Sequence, residues 1–559
     1  MKLRTSFFNL SVLRKNLTRF APLWVLYAIA EVLCLLTLDL HDPDRVADNI
    51  NTIMGPVGIF HMGYALIVAA CLFGDLFDGR MCNGLHAMPM KREGWLLTNL
   101  ASGFVFALIP AVVGGTVAAI AMQEYYWMSL VWQGVSLLQF VLFFGIAVFS
   151  AMCAGKRLGM VAIYALINFL AYLILVVVSL IYQPLLPGVV LSDENFFLFN
   201  PVIQMANQTF VDYYYDWNLG GFFRGFIGES WTYLYICAGV GILFMVASWV
   251  LYRKRHLETA GDFISFRPVK IVFLLAYTFA VGALVYSFSG LFFGRVVDYG
   301  FLVTGILIGW FTGWMLLERT AKIFTPKVLV SFVAFALLFA GSIGLTVWDP
   351  AGVVTYVPNP ERVSSACMYL LNDAYRYDKN NAGYEGWYIT DGKEIAMVQS
   401  QHRAMLETVD EPCEKCIPVG VQYQLTNGTI VRRSYDVPVE SGAAEALNAF
   451  FNDPRALLHT ADDWDTIQKN VRTIEIHWYD DKLSTTISSV QEQQMEEFLG
   501  AIEADCLAGT LFQQHYLHEE YDSLAGITIT WEDQQYGVRS EYFIVFDSCE
   551  HLCGILKDM

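Results

Sequence analysis

"NGLHAMPMKREGWLLTN", Asn83–Asn99, lies between two apolar runs and belongs to neither. It is too short for a domain, and its Met, Pro, Lys and Arg content does not suit a tight turn. Leu85, Met88 and Met90 supply apolar positions around Pro89, and Lys91 and Arg92 close the stretch. The flanking runs, Gly55–Gly74 and Leu96–Met122, decide what kind of chain this is. Each reaches the roughly 20 apolar residues that a helix needs to cross a bilayer. The quoted stretch therefore reads as a loop joining two transmembrane helices at one membrane face.

The same reading extends outward to nine spans. They are Phe20–Leu40, Gly55–Gly74, Leu96–Met122, Leu130–Cys153, Leu158–Tyr182, Trp231–Leu251, Val269–Ser289, Tyr299–Leu317 and Val328–Trp348. The bulk composition agrees: the 559 residues are 55% hydrophobic and only 16% charged, with a mean hydropathy of +0.44. Those values belong to a membrane protein rather than to a soluble domain. The net charge of -18 is unevenly placed. After Trp348 there are 35 acidic against 14 basic residues, and up to Trp348 there are 18 against 21. No concentrated basic, aromatic-laced segment suggests nucleic-acid binding.

Cytoplasmic loops retain Lys and Arg, so their distribution orients the chain. With the N-terminus inside, 18 of the basic residues before Trp348 fall on the cytoplasmic side. Only Arg45, Arg224 and Arg295 fall outside. Nine crossings then leave the acidic C-terminal region, 349–559, outside the cell. Ala28-Ile29-Ala30 has the small-residue pattern of a signal-peptidase site, but the apolar run continues past it to Leu38.

Four regions follow: 1–19, 20–252, 253–348 and 349–559. In the first, Leu10, Leu13 and Leu17 share one side of a helix, with Lys15 and Arg19 opposite, as in a cytoplasmic interfacial helix. The second holds six spans, and between its fifth and sixth lies the aromatic outer segment Gln183–Ser230, read as a half-submerged lid. The third holds three further spans. The last reads as an α+β domain. Asn427-Gly428 marks a hairpin, and Asp391-Gly392 suggests another. "TIEIHWY", "GITITW" and "EYFIVF" add strands, and helices are expected at Ala443–Phe451 and from a capping box at Ser489–Glu492. No internal repeat or low-complexity tract is evident.

No phosphate-binding Gly-x-x-x-x-Gly-Lys-Ser/Thr loop, His-Glu-x-x-His or Gly-x-Ser-x-Gly occurs, so the chain is not expected to be an enzyme or to hydrolyse ATP itself. Glu31 falls near the middle of the first span. A carboxylate there is either a functional polar site facing a cavity or a neutral, structurally hydrogen-bonded group. Cys34, Cys71, Cys82, Cys153 and Cys237 lie in or beside spans and read as packing residues. Cys367, Cys413, Cys416, Cys506, Cys549 and Cys553 fall outside, where disulfides are the expectation and connectivity stays open. A four-thiolate zinc site from Cys413, Cys416, Cys549 and Cys553 is the alternative, and a redox pair at Cys413 and Cys416 lacks the usual helix start.

With its upstream neighbours the opening stretch reads "LFGDLFDGRMCNGLHAMPMKREGWLLTNLASGFVFALIP". It resembles the first cytoplasmic loop of the type-2 ABC exporter permeases: an acidic residue, Gly, then Leu-x-x-x-Pro-x-x-Arg. The matching residues are Asp75, Gly79, Leu85, Pro89 and Arg92. A basic membrane flank explains Lys91 and Arg92 but not this spacing. The family commonly has Thr after the Gly and Lys near the third span, where Arg80 and Asn99 stand here. A subset from low-GC Gram-positive bacteria is more similar, in "LH-x-x-P-x-x-R" and in "YRKRHLETAGDFISF". The resemblance covers roughly 1–266.

The resemblance implies a permease subunit in a bacterial plasma membrane. Asp75, Gly79, Leu85, Met88, Pro89 and Arg92 would form a coupling helix on a separate ABC ATPase subunit, which binds the ATP and Mg. A second permease subunit, identical or different, would complete the pathway. Export of an amphipathic or antimicrobial (multidrug-type) compound is the expected activity. The alternative is a membrane sensor that detects an extracellular ligand through its C-terminal domain without transport.

Overall fold

In the computed structural model, residues 8–37, 43–86, 91–122, 126–190, 199–216, 220–255, 261–290, 298–370, 377–378, 383–384, 388–409, 411, 415–458, 463–479, 485–511, 523–533 and 537–558 are described. The chain divides into two compact units, 1–180 with 193–339, and 181–192 with 340–559.

The first unit is built from helices and one hairpin. In order come α1 Leu10–Arg19, α2 Ala21–Thr37, α3 Pro43–Met54, α4 Gly58–Leu72 and α5 Gly79–His86, followed by α6 Arg92–Met122, α7 Tyr126–Cys153 and α8 Arg157–Val177. After the short α9 Pro201–Ala206 and the antiparallel strands β1 Val211–Asp216 and β2 Gly220–Phe226 come α10 Gly228–Lys254, α11 Arg267–Gly290, α12 Asp298–Glu318 and α13 Pro326–Trp348, of which residues 340–348 fall in the second unit. Among the described residues, seven helices are individually long and apolar enough to cross a membrane. Two bent pairs, α1 with α2 at 60° and the end of α3 with α4 at 47°, pass the same test when taken together. Among the described residues, seven of the nine apolar runs are thus single helices, and the other two are helices joined at a sharp bend to the helix before them.

Close helix contact in this unit relies on glycine, whose missing Cβ lets two backbones approach. Gly145 of α7 faces Gly241 of α10 so closely that a Cβ on either would overlap or press on the other helix's backbone. Gly305 of α12 lies against Gly282 of α11, since a Cβ on Gly305 would come 2.9 Å from the Gly282 Cα, and a Cβ on Gly309 would come 2.8 Å from the Thr278 carbonyl oxygen. Around α7 the core is aromatic, with Trp132, Phe140, Phe143 and Phe144 fully buried.

The N-terminal helix does form over Leu10–Arg19, capped by the Asn9 side chain, but it is docked rather than simply amphipathic. Buried Asn16 donates to Asn99 Oδ1 at 2.8 Å and lies 3.0 Å from Ser102 Oγ, while Leu10 is exposed. The aromatic segment between α8 and α10 is also anchored by a polar clip. Asn51 accepts from the Phe210 and Val211 amides, both at 3.0 Å, and donates to the Val211 carbonyl. Trp231 Nε1 donates to the Phe210 carbonyl at 3.0 Å.

The second unit contains two four-stranded antiparallel sheets with one topology. The first comprises β3 Val363–Leu370, β4 Tyr388–Ile389, α14 Gly392–Glu407, β5 Cys416–Leu425, β6 Ile430–Pro438 and α15 Gly442–Phe451. The second comprises β7 Val471–Tyr479, β8 Thr485–Ser489, α16 Glu492–Leu507, β9 Ser523–Asp533, β10 Gly537–Phe546 and α17 Glu550–Asp558. Strand order is β4-β3-β5-β6 in one and β8-β7-β9-β10 in the other. Both are ββαββα modules, with 16-residue helices at the same place. No repeat is evident in the sequence, and the structure adds one in topology that residue identity does not carry.

Three local expectations can be compared with this arrangement. The Asn427-Gly428 turn joins β5 to β6, with Gly428 at φ +83°. Asp391-Gly392 is not a hairpin. Asp391 caps α14, accepting from the Lys393 and Glu394 amides, and Ile395, Val398, His402 and Met405 then follow a helical period into the core. The capping box at Ser489 is likewise corrected, because Ser489 ends β8 and α16 begins after Gln491 without a side-chain cap.

Candidate functional site

The segment singled out by sequence lies between α4 and α6. A 3₁₀ turn, Gly74–Phe77, carries the half-buried Asp75, and α5 begins at Gly79. Asp78, which motif reading passed over, is the residue that starts the helix. Its carboxylate accepts from the Arg80 amide at 2.8 Å and the Met81 amide at 3.3 Å. Leu85 belongs to the last turn of α5, and Arg92 is exposed at the first residue of α6. Met88 and Pro89 lie outside the described residues.

Arg255, at the end of α10, ties this segment to the bundle. Its guanidinium is buried and donates to the Ala151 carbonyl at 2.9 Å, the Met152 carbonyl at 3.2 Å and the Leu76 carbonyl at 3.1 Å. One side chain therefore joins the 3₁₀ turn before α5 to the ends of α7 and α10. Nearby, Arg253 donates to Glu93 Oε1 at 3.0 and 2.7 Å and lies over the Trp249 ring. Cys82 is buried on α5 within the electrostatic reach of Arg255, Arg92 and Asp75, and burial pushes its thiol up. In the sequence Arg255 is one of the 18 basic residues that orient the chain. Its burial was not visible there, since its acceptors lie at least 103 residues away in the chain.

Glu31 occupies a second polar locus, inside the helical unit on α2. The residue is 6% exposed, and His61 of α4, at 2%, faces it with Nε2 3.8 Å from Glu31 Oε1. His61 Nδ1 pairs with Gln139 Oε1 of α7 at 2.8 Å, and Gln139 Nε2 donates to the Met54 carbonyl at 3.2 Å. Gly114 of α6 leaves space for the carboxylate, since a Cβ there would lie 3.1 Å from Glu31 Oε2. Neither His61 nor Gln139 carries a sequence motif, so only the fold brings them to Glu31.

Among the acidic-region cysteines, Cys416 is disulfide-bonded and Cys413 lies outside the described residues. Cys367, Cys506, Cys549 and Cys553 are free and buried, which departs from the expected disulfides. Cys367 is buried in β3, with Gln422 and Tyr388 opposite it on the neighbouring strands, and burial pushes its thiol up to about 12. The other three sit in the core of the second module, with burial raising each thiol and Cys549 reaching about 11. They pack as small apolar residues, and Cys553 donates weakly to the Phe546 carbonyl. No group of three His, Cys, Asp or Glu side chains among the described residues is arranged to hold a metal.

Comparison of the chain with protein-family models, with curated proteins and with solved structures gave no match.

Proposed function

We propose that the chain is the transmembrane subunit of an ATP-driven exporter, with ATP hydrolysed on a separate partner subunit. The observation that carries this reading is the Asp75–Arg92 segment. It combines the exporter-like spacing with a short helix whose preceding turn is held by Arg255 to two long helices of the bundle. A partner pushing on α5 would move a rigid junction rather than a slack loop, which is what mechanical coupling requires. In this reading the N-terminus and α5 are cytoplasmic, the ββαββα modules are outside, and a second permease subunit completes the pathway. The cargo is amphipathic, and the lipid bilayer surrounds the first unit.

The test is a pulldown of the ATPase encoded beside this chain, together with transport or resistance in cells. Grooves that accept a helix take their affinity from buried apolar side chains, whereas exposed ion pairs give about 0–1 kcal/mol. Leu85→Asp with Met88→Asp should therefore release the ATPase from a correctly inserted chain, and Lys91→Ala should be milder. Retained binding and transport in the double variant would overturn the reading. The sensor alternative draws on one observation, the duplicated module in the acidic region. It predicts unchanged signalling when ATPase binding is lost.

A further inference from the structure

The polar atoms around Glu31 present a problem in proton accounting. Gln139 Nε2 donates to the Met54 carbonyl, which fixes the amide with Oε1 toward His61. An oxygen there can only accept, so the proton of a neutral His61 sits on Nδ1. Nε2 is then a bare lone pair aimed at the Glu31 carboxylate 3.8 Å away. Two acceptors face each other, both on side chains more than nine-tenths buried, and neither Nε2 nor Glu31 Oε2 has a hydrogen-bond partner. Burying a carboxylate with one unpartnered oxygen beside a bare lone pair is costly, and one added proton removes the conflict.

We propose that Glu31 and His61 form a proton-binding site within the helical unit, taking up one proton from solvent between the carboxylate and Nε2. The loaded pair is neutral overall and makes one hydrogen bond. The unloaded pair carries one negative charge and makes none. Loading therefore draws α2 toward α4, and unloading favours their separation or the entry of water. Other ionisable groups around the pair are few. Tyr27, one turn before Glu31, and Cys34 lie on α2, and both feel the Glu31 charge. The Tyr27 hydroxyl couples to the Glu31 carboxylate but closes no hydrogen bond within 3.5 Å, so it offers the carboxylate at most a long contact. Tyr64 on α4 and Tyr164 on α8 are already committed, donating to the Phe106 and Met62 carbonyls, each at 2.9 Å. The α6 residues 94–122 contain no ionisable side chain, and α7 has only Tyr126 and Cys153, at its ends. The site thus has one acid and one base. It stands on this geometry and not on the transport reading.

The test uses the full-length chain in lipid nanodiscs with ¹⁵N-labelled histidine, and His61 is assigned by the signal lost in His61→Gln. In the wild type, Nε2 should report a hydrogen-bonded or protonated nitrogen at low pH and become a bare one as pH rises. Glu31→Gln replaces the carboxylate by an amide of the same shape whose N–H can donate to Nε2. It should hold Nε2 hydrogen-bonded with no pH response. Gly114→Ala keeps both ionisable groups but crowds Glu31 Oε2, and it should shift the wild-type midpoint. A bare Nε2 at every pH in the wild type overturns the proposal, with no need of the Glu31 variant. So does the same pH response in wild type and Glu31→Gln, none included, which would mean that a bound water or structural contact occupies the gap.

Discussion

Arg255 and the Leu76 carbonyl oxygen are 3.1 Å apart although 179 residues separate them in the chain. The contact closes a loop that contains about half of the first unit, and it is charge-assisted on a buried side chain. Hydrogen bonds to charged groups contribute about 1.5–3 kcal/mol each, though not additively. Arg255→Met should lower the thermal unfolding midpoint of the purified chain by several degrees. Arg255→Lys should recover only part of the loss, because an ammonium cannot span three carbonyls in the fixed geometry of a guanidinium. In the exporter reading the Lys variant still binds the ATPase and transports less. Thermal unfolding with parallel pulldown separates the two effects.

The Gly145 and Gly241 contact makes a sharper steric prediction. A methyl at Gly241 would lie 2.5 Å from the Val141 carbonyl oxygen, so α7 and α10 must separate to admit it. Overpacking of a close contact costs about 1–3 kcal/mol. Gly241→Val should therefore reduce folded yield and melting temperature in detergent. Gly239→Ala on the same helix, with open space at its Cβ position, should leave both unchanged. Equal behaviour of the two variants would show that the helices do not cross there.

His402 gives the second unit a defined pH response. It is fully buried, with Nε2 2.8 Å from the Tyr435 hydroxyl and Nδ1 3.1 Å from that of Tyr423. Burial, assisted by Arg433 and Arg403, lowers its pKa to about 4. The folded state therefore resists a proton that the unfolded chain accepts near pH 6.5. The stability is complete above about pH 6.5 and falls as pH drops toward about 4, by about 3 kcal/mol in all. Hydrogen exchange of the Gly392–Glu407 helix, corrected for intrinsic rate, should show this loss in the full chain. His402→Leu should abolish the pH slope while lowering stability at neutral pH, because two buried hydroxyls lose their partner.

The duplicated modules offer a remedy for that variant. Aligned on the helix starts Gly392 and Glu492 and on the strand glycines Gly420 and Gly526, His402, Tyr423 and Tyr435 correspond to Ile502, Ile529 and Val545. All three counterparts are fully buried and apolar. The triple change His402→Ile, Tyr423→Ile and Tyr435→Val should therefore be less destabilising than His402→Leu alone at neutral pH, since no orphaned hydroxyl remains. Greater loss in the triple variant would mean that the aromatic volume, not the polar network, holds the first module together.

Thiol chemistry tests the packing of the second module. Cys506, Cys549 and Cys553 are buried with their thiols pushed up, so few thiolates exist at neutral pH to react. An alkylating reagent should label them slowly in the folded chain and completely after denaturation without reductant. Mass spectrometry of the peptides reads the difference. Labelling that requires reductant would mean that these cysteines are paired.

Much of the first unit was legible in residue order. A run of about 20 apolar residues has few structural options, because each backbone polar group must be paired within its own helix once water is gone. The runs accordingly reappear as long helices, and Asn427-Gly428 appears as a turn because a positive φ suits Gly428. Sequence could not tell that Asp391-Gly392 starts a helix, since an Asp before Gly serves a hairpin or an N-cap equally well. Packing of Ile395, Val398 and Met405 against the sheet decided it. The repeat was hidden for a related reason: topology depends on the apolar pattern, which tolerates His402 in one module and Ile502 in the other. Asp75, Gly79 and Arg92 were named from spacing, but Asp78 and Arg255, which start and hold the same element, were not. Glu31 stood out as a carboxylate in an apolar run. That it faces His61, and that Gln139 dictates which nitrogen of His61 bears the proton, depends on three helices brought together by packing, a relationship no local pattern of residues encodes.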